Sequence, residues 1–304
     1  LASVEAELLA NGITTAMLAQ FWSWEGGMRG PKFARALAEA LSAFAGAADI
    51  RMLLRLEIGC WQDFDEVEAL IAKHHISHLV FSDHLPHEAL AAGRKVPRLE
   101  GQALKAGRSP EAHLALMGKL HAGCDAADKE VAHLATQLAT RQVAMGSHDD
   151  PNPEIRARYR DIGLRLAEFP MSLETAQAAR EAGDRVVMGA PNVVRGGSHK
   201  RGGLSVRDAL EAGTCDALAS DYHYPAPLAA MRKLLADGWS LTRAWPLVSA
   251  GPAATLGLAD RGFIGFGARA DLVITSPGLK AVHGTIAGGR LAFADATLCD
   301  RLVA

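Results

Sequence analysis

The chain has 304 residues, with 34 acidic against 32 basic side chains and a formal net charge of −2. That balance excludes the positive field that nucleic-acid or polybasic membrane binding needs. It is 49% hydrophobic without an apolar run long enough to cross a bilayer, so it reads as a soluble protein, one large domain with a small appendage. Cys60, Cys124, Cys215 and Cys299 stand far apart, which argues against a disulfide framework or a thiolate zinc knuckle and fits a reducing cytoplasm.

In chain order, LASVEAELLANG reads as a helix ending at Asn11-Gly12; it carries acids and lacks the basic start of a signal peptide. Next comes a β-leaning run, GITTAMLA (12–19), an amphipathic helix (33–45), the run IRMLLRLEI (50–58), a helix (64–73) and the run HLVFSDH (78–84). The segment 86–123 breaks this rhythm: prolines and basic residues lead into a helix without a clear strand, as expected of an insertion or lid. The alternation then resumes with a helix (125–140), VAMGSHD (143–149), LRLAEFP (164–170), a helix (173–182), RVVMGAP (185–191), a helix (206–212) and DALASDYH (216–223). Asp63, Ser172 and Ser205 are expected N-caps, and Gly46, Gly183 and Gly213 expected helix stops.

Strands alternating with helices predict an α/β fold with a parallel sheet, a TIM-like (β/α)8 barrel. Seven strand-like runs occur where closure takes eight. The tail, GFIGFGARADLVITSPG and AVHGTIAGGRLAFAD, abandons the rhythm for glycine-rich β segments. The expected domains are a hydrolase barrel over 1–258, short of its first strand, and a small β-sandwich remnant over 259–304.

Polar residues gather where these runs end: Glu57, Asp83, His84, His148, Asp149, Glu168, Asn192, Asp221 and His223. In a parallel barrel those ends share one face, the active-site face. Imidazoles and carboxylates converging there suit a divalent ion such as zinc or manganese. Each residue also has a plain reading: a buried ion pair for Glu57 and Asp221, a satisfied imidazole for His84 and His148, a turn or helix cap for Asp150. His74, His75 and His78 precede a strand, at the opposite end, and read as surface residues; His113, His121 and His133 sit on helices and carry no stronger signal. A second constellation, GAPNVVRGGSHKRGGLS, sets Arg195, His199, Lys200 and Arg201 among glycines. Glycines let backbone amides cradle an anion, and the cations add oxygen contacts; a flexible surface loop is the alternative. FWSWEGGMRGPK, with Trp22, Trp24, Arg29 and Lys32, offers either a stacking surface or packing.

Together NGITTAMLAQ, LRLE, SDHLP, GSHDD, EFPMSLETA, MGAPNVVRGGSH, ASDYHYPA and the tail GFIGFGARADLVI resemble the amidohydrolase superfamily and, more narrowly, the PhnM-like family of phosphonate metabolism. The resemblance spans nearly the whole chain. It implies a metal-dependent amidohydrolase-type barrel that hydrolyses a ribosyl triphosphate, ribose 1-methylphosphonate 5-triphosphate, to the 5-monophosphate and pyrophosphate, using one or two ions. Carried onto this chain, Glu57, His84, His148 and Asp221 bind metal, with His148 and Asp221 also catalytic and Asp221 the base on water. Asn192, Arg195, His199, Lys200 and Arg201 bind substrate, with Asp83, Asp149, Glu168 and His223 in supporting positions. Superfamily barrels open with a strand carrying a His-x-His motif, and nothing before GITTAMLA matches it, so weak metal binding and little activity are expected of this chain. Hydrolysis of a C–N bond, as in a sugar-phosphate deacetylase or cyclic amidase, and a non-catalytic binding role on the same scaffold are the competing functions. The expected partner is a small phosphorylated molecule, with no nucleic acid or membrane, and a homo-oligomer is compatible.

Overall fold

A computed structural model describes residues 1–198 and 202–303. Seven strands, β1 (Thr15–Trp22), β2 (Asp49–Glu57), β3 (His78–Ser82), β4 (Ala144–His148), β5 (Leu166–Glu168), β6 (Arg185–Gly189) and β7 (Ala217–Ala219), pair in parallel in sequence order. All seven fall on the expected runs. The sheet is curled, because Arg55 on β2 reaches Glu168 on β5, three strands further along. Among the described residues, β1 and β7 are its two edges.

Side-chain alternation explains what lies on each face of β2. Met52, Leu54 and Leu56 join a buried cluster with Val67, Leu70 and Ile71 of the helix Phe64–His74, and with Leu134 and Leu138 of the helix Cys124–Thr140. Arg55 and Glu57 take the other face, toward the barrel interior, where Arg55 meets Glu168 and Glu57 meets His84. A second cluster, around Ala167, Val186, Met188 and Leu218, packs the strands β5–β7 against their helices. Trp22 and Trp24 belong to the first cluster, so these two tryptophans are packing and not a stacking surface.

The segment 86–123 folds as three helices, α1 (His87–Ala91), α2 (Leu99–Lys105) and α3 (Pro110–Ala122). Ser172 caps its helix by accepting from Thr175 N at 3.1 Å. Asp63 and Ser205 make no side-chain cap; Asp63 instead accepts from Trp22 Nε1 at 3.0 Å. In the tail, β8 (Leu272–Thr275), β9 (Val282–Ala287) and β10 (Arg290–Ala294) form an antiparallel sheet in the order β10-β9-β8. The opening helix Ala2–Ala10 lies against that small sheet, and Thr285 Oγ1 donates to Leu9 O at 2.6 Å. The four cysteines are free. No helix among the described residues is long and apolar enough to cross a membrane.

His78, expected at the surface, begins β3 as a buried residue, 4% exposed. Its Nδ1 lies 2.8 Å from Ser77 Oγ, and its Nε2 has no hydrogen-bond partner. Burial, assisted by the nearby Arg51, lowers its pKa to about 4. His113, on α3, is likewise buried, packed at 5.6 Å against the ring of Trp24.

Candidate metal centre

The ends of β3 and β4 bring His84 and His148 together, with ring centroids 5.8 Å apart. With Asp149 they form a group whose donor atoms all lie within 4.8 Å of one another. Backbone geometry helps: a Cβ on Gly146 would stand 2.8 Å from both the Leu166 side chain and its carbonyl. Only glycine lets β4 run that close to β5, and this proximity sets His148 opposite Glu168 in the strand register.

Each imidazole is held by a carboxylate at its inner nitrogen. Glu57, fully buried, bonds His84 Nδ1, accepts from His84 N at 3.0 Å and accepts from Ser82 Oγ at 3.0 Å. Glu168 Oε2 lies 2.7 Å from His148 Nδ1 and accepts from Arg55 Nη2 at 2.7 Å. An ionised carboxylate only accepts, so each Nδ1 carries a proton and each Nε2 is the nitrogen left facing away from its carboxylate. His148 Nε2 lies 3.5 Å from Asp149 Oδ2.

Electrostatics follow the same pairing. Burial alone would lower His84, but the hydrogen bond and charge of Glu57 overcome it and raise its pKa. Burial would push Glu168 up; the Arg55 guanidinium and the His148 hydrogen bond hold it down to about 2. Asp150 is raised by burial, against the pull of Arg156. It is neither turn decoration nor helix cap: it accepts from Ser147 Oγ at 2.7 Å and pairs with buried Arg156, while Asn152 caps the next helix.

Three residues just past strand ends, Asp149 (φ 59°), Phe169 (φ 58°) and Asp221 (φ 55°), adopt left-handed backbone. For a residue with a Cβ this is uncommon, least so for aspartate, and such strain gathers at functional sites. Phe169 packs its ring edge-on against His148 at 5.3 Å, a contact that no sequence pattern announced.

The other expected site residues are more dispersed. Asp221 stands on the exposed turn after β7, its Oδ2 3.8 Å from where a Cβ on Gly189 would sit. His223 is exposed beside it. Asp83 turns toward the helical insert, accepting from Leu85 N at 3.1 Å and lying 2.8 Å from His87 Nε2. Asn192 uses its amide to fasten the following loop, donating to Leu204 O at 3.2 Å and accepting from Val206 N at 3.1 Å. Exposed Arg195 donates to the Tyr222 hydroxyl at 2.5 Å, linking the loops after β6 and β7. His199, Lys200 and Arg201 lie outside the described residues.

The donors fit a divalent cation. Two imidazole nitrogens and a carboxylate oxygen are a common zinc set. The observation that decides the fit is that both imidazoles rest on carboxylates through Nδ1, the support that metal-binding histidines characteristically receive.

Parallel strands, flanking helices, polar groups at the strand ends and a small appended antiparallel sheet define a mixed α/β protein built on a curled parallel sheet. Two solved structures share the fold: an uncharacterized protein (TM-score 0.59, 14% identity, covering 95% of this chain and 78% of that one) and molinate hydrolase (TM-score 0.53, 14% identity, 94% and 74%). No family profile matches the chain. Over 294 residues, 93% of this chain and 77% of the relative, it is 33% identical to the alpha-D-ribose 1-methylphosphonate 5-triphosphate diphosphatase of Escherichia coli (strain K12). The chain belongs to the family of that diphosphatase.

Proposed function

We propose that this protein is a metal-dependent diphosphohydrolase of phosphonate catabolism acting on alpha-D-ribose 1-methylphosphonate 5-triphosphate. Water adds across the anhydride between the α and β phosphorus atoms, leaving the 5-monophosphate and pyrophosphate. The observation that carries this reading is the His84–His148–Asp149 group, each imidazole backed by a buried carboxylate, in a chain of the diphosphatase family.

In this reading His84, His148 and Asp149 hold a divalent ion, zinc or manganese, with Glu57 beneath them. When bound, such an ion lowers the pKa of water to about 7 and neutralises charge developing on phosphate oxygens. Glu57 and Glu168 hold the two imidazoles through Nδ1 and fix their orientation, so that Nε2 faces the ion. Asp221, on the turn after β7, takes the proton of the attacking water. Arg195 binds a phosphate oxygen, oriented by its contact with Tyr222. Four free cysteines suit a cytoplasmic location.

The test is release of pyrophosphate by the full chain, metal-stripped and then reloaded, from the ribosyl triphosphate and, in parallel, of acetate from an N-acetylated sugar phosphate. Metal-dependent pyrophosphate release without acetate release supports the proposal; acetate release alone transfers the site to C–N bond hydrolysis.

A further inference from the structure

A charged residue inside a barrel needs a reason. TIM-type interiors are filled by apolar side chains in layers, yet Arg55 projects inward from β2 and is only 12% exposed at its side chain. Its guanidinium crosses the interior to Glu168 on β5, 113 residues away in sequence, at 2.7 Å. It also lies over the Phe21 ring at 5.0 Å, and its Nε is buried without a hydrogen-bond partner. Taking a guanidinium out of water this incompletely compensated is costly unless the pairing does something else.

The oxygen it chooses indicates what. Oε2 of Glu168 receives Arg55 Nη2 at 2.7 Å, and the same oxygen lies 2.7 Å from His148 Nδ1. One carboxylate oxygen therefore ties a cation on β2 to the imidazole at the end of β4. Without the guanidinium, no second donor among the described residues steadies the Glu168 carboxylate beside His148, and the imidazole loses the constraint that selects one of its two neutral forms. Glu57 differs: its carboxylate is fixed by Ser82 Oγ and by His84 N, both local.

We propose that Arg55 is a positioning residue for the cluster. By locking the Glu168 carboxylate from across the barrel, it holds His148 in the Nδ1–H form and keeps Nε2 as the donor atom presented beside His84 and Asp149. The inference rests on the reading of that cluster as a metal centre, but the tautomer of His148 is measurable with no metal present.

The experiment compares the full chain with Arg55→Met, Arg55→Lys, Glu168→Gln and Arg55→Met/Glu168→Gln. Nitrogen-15 NMR of the metal-free proteins reads the His148 tautomer, and competition with a chromophoric chelator reads Zn2+ affinity. The parent should show His148 as the Nδ1–H form. Arg55→Met should give a mixture of tautomers and bind Zn2+ about 10- to 100-fold more weakly, the usual cost of removing a group behind a metal-binding histidine. Arg55→Lys keeps the charge but loses the planar fork, so it should fall between the two. In the Glu168→Gln background, Arg55→Met should cost less than about twofold more, because its route runs through Glu168. An unchanged His148 tautomer in folded Arg55→Met overturns the proposal, as do additive losses in the double variant. Should Arg55→Met fail to fold, an unchanged tautomer in Arg55→Lys overturns it equally. A parent chain that binds no Zn2+, while its tautomer still responds to Arg55, defeats the metal reading and leaves the positioning role standing.

Discussion

Strand β3 carries a histidine at its start and another just past its end, and the two live in opposite electrostatic worlds. His78 is buried beside a neutral serine and an arginine, and its pKa drops to about 4. His84, half-buried, rests on the Glu57 carboxylate and moves the other way. Burial pushes both down; only the partner differs. An imidazole with a carboxylate behind it becomes a strong donor with a fixed tautomer, whereas one paired to a hydroxyl is an inert core group. The proposed site is thus marked by the carboxylates behind its histidines more than by the histidines themselves.

The sharpest way to break that contrast is to remove one histidine from each end. His148→Ala should lower divalent-ion affinity and turnover by more than about 100-fold, beyond the 10- to 100-fold typical of losing a supporting group, as read by chelator competition and pyrophosphate release. His78→Leu should leave both within about twofold; a comparable loss there would erase the distinction.

A pH titration of stability should show the second largest effect. The folded state holds His78 near 4 while the unfolded chain titrates near 6.5. Between those values the unfolded state binds more protons, so stability falls as pH drops below about 6.5, and the full loss is present below about 4. The loss amounts to on the order of 3 kcal/mol at about 1.4 kcal/mol per pKa unit. Urea unfolding between pH 7.5 and 4.5 measures it, and His78→Leu should lack that component of the slope.

Glu57→Gln should weaken Zn2+ binding by about 10- to 100-fold through His84, read by the same chelator competition; equal affinity would mean the carboxylate serves only packing. The smallest effect belongs to Arg195→Ala. Losing one charge-assisted phosphate contact should raise KM for the triphosphate by about tenfold with kcat nearly kept. An unchanged KM would remove Arg195 from the substrate site.

Much of this architecture was legible in the sequence because it is periodic. The seven parallel strands match the seven β-leaning runs, and His84, His148, Glu57 and Glu168 stand at strand ends as expected. What sequence left hidden depends on pairing across the barrel. Arg55 read as one more residue of an apolar run, since its partner Glu168 lies 113 positions on. His78 was misplaced because position in a barrel says which end a residue occupies and nothing of how deeply it sits. Asp149 was expected in support of the ligands, yet the structure groups it with His84 and His148; a left-handed turn, which local sequence does not announce, brings it there. Asp150, beside two prolines, looked like a cap, but buried Arg156 from the following helix claims it.

The most direct test of the account is anomalous X-ray scattering at the zinc edge from crystals of the zinc-loaded chain. The account predicts an ion within about 2.0 to 2.2 Å of Nε2 of both His84 and His148 and of an oxygen of Asp149. Zinc found on a different set of residues, or His84 and His148 bound through Nδ1, would contradict it.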